Sequence, residues 1–202
     1  MRPFVWLLSV TTNGIVKLLG LDPNGGQEVV TEEEIRMLVD AGEETGVIEE
    51  SQKDMINNIF EFDDIDASDV MTHRTDIEAV EIDDSVEDVL TVAINDGFSR
   101  IPVYKEDLDD IQGLLYVKDL LPYVGKEAGQ VKLRDLMRPA TFVPESKKCG
   151  DLFAEMTEKH LQTVIVSDEY GGTAGLVTIE DLLESIVGNI QDEFDNEEEE
   201  FQ

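Results

Sequence analysis

The part of the chain after residue 66 contains one sequence plan twice, and this repetition restricts the fold more than any other feature. Ser68-Asp-Val-Met71 recurs as Arg134-Asp-Leu-Met137, and Gly113-Leu-Leu-Tyr-Val-Lys-Asp-Leu-Leu121 recurs as Gly175-Leu-Val-Thr-Ile-Glu-Asp-Leu-Leu183. The methionines of the first pair lie 66 residues apart and the aspartates of the second pair 62 apart, so the plan is kept while the loops change length. Such repetition indicates two copies of one supersecondary unit.

Within each copy, the hydrophobic pattern predicts the order β-α-β-β-α. The strand-type runs are rich in Val and Ile and are bounded by Gly and Asp. In copy one, we expect a strand at 77–80, a helix at 85–95, strands at 101–104 and 111–116, and a closing helix from Lys118. In copy two, we expect a strand at 141–143, a helix at 149–159, strands at 164–167 and 174–177, and a closing helix from Glu180. Two such units bury their exposed sheet faces against each other, which predicts an α/β (α+β) fold with pseudo-two-fold symmetry.

The residues before the repeat divide into an apolar segment, 1–26, and an acidic segment, 27–66. Residues 3–16 carry no charge, but these fourteen residues are too few to cross a bilayer, which takes about 20 in a helix. We expect a helix at a membrane interface or against the core, followed by a hinge at Leu21-Asp-Pro-Asn-Gly-Gly26. Thr31 and Glu34 then predict a capping box that begins an acidic helical linker, with a second helix at about 51–60.

The charge of the chain excludes one class of partner. Its 15 basic residues face 47 acidic ones, for a net charge of -32, whereas nucleic-acid binding needs clustered Lys and Arg to displace counterions. An acidic surface instead concentrates cations, divalent ones most strongly. The linker, with its excess of acids, is either a solvated face or a weak cation-attracting surface. Residues 191–202 form an acidic tail.

No residue pattern predicts an enzyme. His73 and His160 lie far apart in the repeat plan, and neither has carboxylates at metal-ligand spacing. No P-loop or nucleophile elbow is present in the sequence. Cys149, the only cysteine, begins a helix, where its pKa can be lowered, but no histidine partner is evident and we interpret it as structural. We therefore assign no metal ligand among the side chains.

The two strand-to-helix junctions differ in one informative way. Thr178 and Asp181 stand three residues apart at the second junction, whereas the first has Tyr116 and Asp119. A hydroxyl and a carboxylate at this spacing resemble a capping box, which stabilises a helix by about 1 kcal/mol without any ligand. The same pair can also bind a polar ligand. Spacing alone leaves both interpretations open.

Several linked motifs resemble a known family. The doubled unit resembles a pair of CBS domains, here residues 67–125 and 126–190. More narrowly, Asp69-Val-Met-Thr72, Gly97-Phe-Ser-Arg-Ile-Pro-Val-Tyr104 and Glu169-Tyr-Gly-Gly-Thr-Ala-Gly-Leu-Val-Thr-Ile-Glu-Asp181 resemble the CorC/hemolysin-like family, which is related to the cyclin-M magnesium transporters. The start, Arg2-Pro-Phe-Val-Trp-Leu-Leu, resembles the last helix of that family's membrane domain. The rest of that domain lies outside this chain.

The resemblance implies a regulatory function. CBS pairs bind adenosine nucleotides between their two units and commonly form homodimers. This family's module lies on the cytoplasmic side of the cell membrane, where ATP or AMP with Mg²⁺ controls transport of divalent cations (Mg²⁺ or Co²⁺) through a change of dimer arrangement. The chain itself, as a piece without the membrane domain, is expected to be soluble. The alternative is a module for ligand-independent dimerisation or partner docking, with empty clefts.

The resemblance also implies the site residues. Adenine is flanked by Thr72 and Ile77, Asp181 accepts from the ribose hydroxyls, Thr178 adds a hydroxyl contact, and Arg100 meets the phosphates or pairs with a surface acid. The full expected set is Thr72, Ile77, Phe98, Ser99, Arg100, Ile101, Pro102, Thr178 and Asp181. The second, pseudo-symmetric cleft has Thr141, Phe142, Thr163 and Asp119, with Tyr116 and Lys118 in addition. We expect weak or no binding there, because the Tyr116 ring crowds the ribose position.

Overall fold

The computed structural model describes residues 30–124 and 131–188, so our predictions for the apolar segment 1–26 and the tail 191–202 lie outside the described residues. The chain divides into two compact units, Met1–Glu49 and Glu50–Gln202.

The described part of the first unit is one acidic helix, α1 (Glu32–Glu44). The predicted capping box is confirmed, because the Glu34 N–H donates to the Thr31 hydroxyl (3.3 Å) and the Thr31 N–H donates to the Glu34 carboxylate (3.4 Å). Gly46 follows the helix with a φ of 72°, a left-handed conformation that glycine adopts without strain.

The second unit contains the repeat in the predicted order. After α2 (Glu50–Phe62), the first copy contains α3 (Ala67–Val70), β1 (Thr72–His73), β2 (Val80–Glu81), α4 (Val86–Asp96), β3 (Arg100–Tyr104), β4 (Ile111–Tyr116) and α5 (Val117–Leu120). The second copy contains α6 (Leu133–Leu136), β5 (Phe142–Pro144), α7 (Cys149–Glu158), β6 (Thr163–Ser167), β7 (Thr173–Thr178) and α8 (Ile179–Val187). Short 3₁₀ turns occupy Arg74–Asp76 and Leu121–Tyr123.

One predicted strand is wrong. Residues 77–79 do not form a strand, and β2 begins only at Val80, where the chain pairs with Val103 of β3. The 3₁₀ turn at Arg74–Asp76 immediately before this stretch redirects the chain. As a consequence, Ile77 lies in a loop and not in the sheet.

The two copies form two sheets with the same internal pairing. In the first sheet the order is β2-β3-β4, with β2 parallel and β4 antiparallel to β3. In the second sheet the order is β1-β7-β6-β5, with β5 parallel and β7 antiparallel to β6. A small hydrophobic cluster contains residues of both sheets, among them Leu114 and Ile165, so the sheets pack on each other as expected.

The beginnings of the two copies are exchanged. Strand β1 belongs to copy one in sequence, yet it pairs with β7 of copy two, with Thr72 opposite Leu176. Reciprocally, the Arg138 N–H, at the start of copy two, donates to the Leu114 carbonyl of β4 (2.9 Å), and the Leu114 N–H donates to the Arg138 carbonyl (2.8 Å). The short helices α3 and α6 are exchanged between the copies in the same way. Ala67 of α3 is buried among residues of copy two, and Leu133 of α6 among residues of copy one.

Each copy has its own hydrophobic core. The first contains Val80, Ile82, Val86, Val89, Ala93, Ile101, Val103, Leu115, Leu120 and Leu133, and the second contains Phe62, Ala67, Val143, Cys149, Leu152, Met156, Val164, Val166, Val177 and Leu182. Burial raises the pKa of the Cys149 thiol to about 11, the opposite of the lowering that a helix start can cause. The thiol therefore stays protonated at neutral pH, which agrees with a structural role.

Two glycines permit the exchange. A Cβ at Gly175 would lie 2.5 Å from the carbonyl oxygen of Thr72 and 2.6 Å from the sulfur of Met71. A Cβ at Gly113 would lie 2.5 Å from the carbonyl oxygen of Arg138. Each repeat therefore has a glycine at this position because the backbone of the other copy comes very close to it. Any side chain there would push the exchanged segment away.

We expect Gly175→Ala to detach β1 from β7. The added methyl group meets the Thr72 backbone, and overpacking of this kind costs about 1–3 kcal/mol. Urea denaturation measures the loss, and amide hydrogen exchange in β1 locates it. Gly171→Ala is the comparison, since its φ is 84° but nothing lies within 4 Å of the new Cβ. It should cost stability through backbone strain without faster exchange in β1. Unchanged exchange in β1 of Gly175→Ala would contradict the role given to this glycine.

Candidate functional site

A cavity of about 260 Å³ opens where the exchanged start of copy one meets the end of copy two. Its walls come from the β1–β2 loop, the start of β3 and the β7–α8 junction. The cavity is near the lower limit of the 300–1,000 Å³ usual for ligand pockets, so it can enclose part of a nucleotide-sized ligand. Of the nine residues expected from the sequence, eight line it: Thr72, Ile77, Phe98, Ser99, Arg100, Pro102, Thr178 and Asp181.

The ninth expected residue, Ile101, is not among the lining residues. It alternates with Arg100 and Pro102 along β3, so its side chain points to the opposite face of the strand, where it is fully buried in the first core. Of the other expected residues, Phe98 keeps 40% of its surface exposed. Gly97 ends α4 with a φ of 75°, and this left-handed turn carries the chain from the helix to Phe98 and Ser99.

Thr178 and Asp181 form a capping box at the start of α8. The Asp181 N–H donates to the Thr178 hydroxyl oxygen (3.1 Å), and the Thr178 N–H donates to Oδ2 of Asp181 (2.8 Å). The capping interpretation is therefore correct. It does not exclude binding, because both residues line the cavity, the threonine hydroxyl still has a proton to donate, and the carboxylate has a second oxygen.

Arg100 of copy one is positioned by two side chains of copy two. Its Nε donates to the Thr163 hydroxyl (3.1 Å), and its Nη2 lies 2.8 Å from Oε1 of Glu180. The Arg100 side chain is only 19% exposed, whereas Glu180 is 58% exposed. Arg100 thus lines the cavity and pairs with a surface acid at the same time. Thr163, which sequence reasoning assigned to the second cleft, lines this one.

Five lining residues were not expected from the sequence: Asp76, Glu78, Gly97, Thr163 and Leu176. Two of them could have been inferred from expected residues nearby in the sequence, because Gly97 precedes Phe98 and Leu176 lies two residues before Thr178. Asp76 and Glu78 flank Ile77 in the loop that was predicted as a strand.

The lining residues carry more negative than positive charge. Asp76, Glu78 and Asp181 are the acids, and Arg100 is the base. A polyphosphate entering this cavity needs a further cation to offset the carboxylates. Among residues 30–124 and 131–188, no group of three His, Cys, Asp or Glu side chains is arranged to hold a metal ion.

The loop that carries Ile77 is tied down by an ion pair. Arg74 donates to the Asp109 carboxylate and to the Thr173 carbonyl (3.2 Å), and the Thr173 N–H donates to Asp109 (2.8 Å). The hydrogen bond to Asp109 raises the pKa of Arg74, and the hydrogen bonds from Arg74 and Thr173 lower the pKa of Asp109. Arg74 is 35 residues from Asp109 and 99 from Thr173, so sequence reasoning had no local pattern by which to find this clamp.

The corresponding junction of copy one is built differently. Tyr116 stands where the other junction has Thr178, and its side chain makes no helix cap. The guanidinium carbon of Arg138 lies 4.1 Å from the centre of the Tyr116 ring, and Nη2 of Arg138 lies 2.6 Å from Oδ2 of Asp119. Lys118 Nζ is 5.6 Å from the same ring.

Two β-α-β-β-α units with exchanged starts and a cavity at their junction define a tandem CBS-domain pair. The family model for the CBS domain matches residues 67–126 and 133–188, and the model for the cyclin M transmembrane N-terminal domain matches residues 1–52. A solved CBS-domain structure of the bacterial CNNM/CorC family Mg²⁺ transporter is 38% identical, with a TM-score of 0.74, over 81% of this chain and 100% of that chain. The chain belongs to the CNNM/CorC family.

Two further comparisons concern a curated relative and a ligand-bound structure. The UPF0053 protein YugS of Bacillus subtilis is 38% identical over 199 residues, which are 97% of this chain and 46% of YugS. The chain thus spans about half the length of the curated relatives that it matches. A structure described as this family's CBS domain in complex with ATP is 38% identical, with a TM-score of 0.65, and the match covers 68% of this chain and 98% of that one. In the part of the chain that the structure describes, no helix is long and apolar enough to cross a membrane.

We expect Thr178→Ala to lower the free energy of unfolding by about 1 kcal/mol in the absence of any ligand, because the first turn of α8 loses its cap. Urea denaturation measures the change. Thr178→Ser, which keeps the hydroxyl, should retain most of the stability. Equal losses in the two variants would show that the methyl group matters and not the cap.

We expect the Arg74–Asp109 clamp to stabilise the fold at neutral pH and to fail in acid. The pKa of Asp109 in the folded protein lies below the usual value of about 3.9, so the folded state binds fewer protons than the unfolded state near that value. The stabilisation is present above about pH 4 and is lost as the pH falls through the lowered folded value.

Asp109→Asn should therefore lower the urea midpoint at pH 7, and its difference from the wild type should shrink below about pH 4. Asp83→Asn, an exposed aspartate before α4, controls for the loss of one charge. A difference for Asp109→Asn that stays constant from pH 7 to pH 3 would contradict the clamp.

Proposed function

We propose that this module binds an adenosine nucleotide, ATP or AMP, in the cavity between the two repeats. Nucleotide binding with Mg²⁺ controls a membrane divalent-cation transporter, for Mg²⁺ or Co²⁺, by rearranging a homodimer. The observation that carries the proposal is the cavity itself, which joins an apolar slot to a hydroxyl, a carboxylate and a guanidinium from both repeats. The proposed domains are residues 67–125 and 126–190, after an acidic linker at 27–66.

The apolar slot suits a flat aromatic base. Ile77 and Pro102 are buried, and Phe98 offers a partly exposed ring. Ligand sites of this type combine apolar walls with a few fixed polar groups. We assign the adenine to this slot, with Thr72 and the exposed Ser99 beside it.

The β7–α8 junction suits a ribose. Asp181 has an oxygen beyond the one used in its cap, and an ionised carboxylate accepts hydrogen bonds from adjacent hydroxyls. Thr178 is held by the same cap, so its hydroxyl is preorganised before a ligand arrives. Hydrogen bonds to a charged group contribute about 1.5–3 kcal/mol each.

The phosphates are assigned to Arg100. Its partner Glu180 is more than half exposed, so this carboxylate can turn to solvent when a phosphate takes its place. Asp76 and Glu78 oppose a bare triphosphate. We therefore propose Mg²⁺ as a bridge on the phosphates, because hard divalent cations prefer phosphate and carboxylate oxygens.

The regulatory part of the proposal is supported by the relatives. A CBS-domain structure with 38% identity is described in complex with ATP, and the cyclin M membrane-domain model matches residues 1–52. On this basis, the module lies on the cytoplasmic side of the cell membrane, next to a transporter domain outside this chain. We propose ligand sensing without catalysis.

We expect isothermal titration calorimetry to show one ATP per chain, with tighter binding when Mg²⁺ is present. Asp181→Ala should weaken binding at least tenfold, because it removes hydrogen bonds of about 1.5–3 kcal/mol each and about 1.4 kcal/mol corresponds to a factor of ten in affinity. Asp119→Ala is the matched control, because it removes the equivalent carboxylate at the other junction and should leave this affinity unchanged. Circular dichroism verifies the folding of both variants.

Two results would overturn the nucleotide proposal: no binding at millimolar ATP or AMP, or wild-type affinity in folded Asp181→Ala. Light scattering tests the dimer rearrangement. A dimer whose size and stability do not respond to nucleotide supports the alternative, a ligand-independent dimerisation or docking module.

A further inference from the structure

The two junctions can be compared residue by residue through the sheet register. Thr72 pairs with Leu176 of β7 just as Arg138 pairs with Leu114 of β4. Thr72 and Arg138 therefore occupy equivalent positions in the two copies.

The same register relates the second pair of positions. Thr178 stands opposite Thr163 at the end of β7, and Tyr116 stands opposite Arg100 at the end of β4. Thr178 and Tyr116 are thus equivalent, and the aspartates three residues later, Asp181 and Asp119, are equivalent as well. At the cavity, these three positions hold two small hydroxyl side chains and a carboxylate. At the junction of copy one, they hold an arginine, a tyrosine and a carboxylate.

Arg138 satisfies the groups that a ligand would use at the second junction. Its guanidinium carbon stacks 4.1 Å from the centre of the Tyr116 ring, and its Nη2 lies 2.6 Å from Asp119. The equivalent carboxylate, Asp181, instead bonds to the backbone of its own helix and borders an open cavity. One junction is open and the other is occupied from within the chain.

We propose that the Arg138 side chain fills the ligand position of the second cleft and blocks nucleotide binding there. Together with Tyr116, it limits the chain to one nucleotide site. This inference rests on the proposed function for the class of ligand. It adds Arg138 to the expected obstruction by the Tyr116 ring, and it assigns the closure to these two side chains.

Substitution of Arg138 and Tyr116 should open the second cleft without unfolding the protein. The backbone of Arg138, and not its side chain, makes the bonds to Leu114 that maintain the exchange of segments. The side chains of Arg138 and Asp119 are 51% and 33% exposed, so their removal leaves no buried charge without a partner. Replacing both obstacles by threonine reproduces the residues of the open junction at equivalent positions.

The test is the number of nucleotides bound per chain, measured by calorimetry and equilibrium dialysis with ATP and Mg²⁺. We expect one for the wild type and two for Arg138→Thr/Tyr116→Thr. Adding Asp119→Ala to the double variant should return the number to one. Arg134→Thr, an exposed arginine four residues earlier, removes the same charge away from the cleft and should leave the number at one.

The outcomes separate this inference from the proposed function. One nucleotide in both the wild type and the folded double variant overturns the inference and leaves the first site intact. None in the wild type but one in the double variant overturns the first site and supports the inference. None in either overturns both. If the threonine variant does not fold, Arg138→Ala/Tyr116→Ala decides by the same criterion, with an expected second site at least tenfold weaker than the first.

Discussion

The structure depends on one constraint, which is that each repeat must accept the first segment of the other against its own sheet. Strand β1 lies so close to β7 that a Cβ at Gly175 would be 2.5 Å from the Thr72 carbonyl, and Gly113 meets Arg138 in the same way. The exchanged segments also bury Ala67 and Leu133 in the opposite cores. Neither core is complete without a segment of the other repeat, so the two repeats interlock.

The exchange also creates the candidate site. It brings the start of copy one next to the helix start of copy two, and the cavity lies between them. Thr178 and Asp181 serve two purposes there, because the bonds that cap α8 also fix the hydroxyl and carboxylate that border the cavity. The stability of the helix and the preorganisation of the proposed ribose site therefore come from the same interaction. A variant at either position affects both, which is why unfolding and binding have to be measured together.

Three arginines give the junctions of this acidic chain their different chemistry. Arg100 is held at the open cavity by Thr163 and Glu180, and it is the base among the lining residues. Arg138 stacks on Tyr116 at the other junction and pairs with its carboxylate. Arg74 fastens the loop that carries Ile77. In a chain with a net charge of -32, the positions of so few cations decide where a phosphate can be accommodated.

The sequence alone was enough to predict the doubled β-α-β-β-α order, the family, the capping box at Thr31 and eight residues of the cavity wall. These features follow from local periodicity, from residue spacing, and from linked motifs that resemble a known family. It was wrong about a strand at 77–80, and it allowed a lowered pKa for Cys149, which burial raises. The sequence also indicated that the Tyr116 ring crowds the second cleft, but the Arg138–Tyr116 stack and the Arg74–Asp109 clamp are visible only in the tertiary structure, because they join residues that are far apart in the chain. Contacts of that kind depend on how the two copies pack, and no local pattern in the sequence records them.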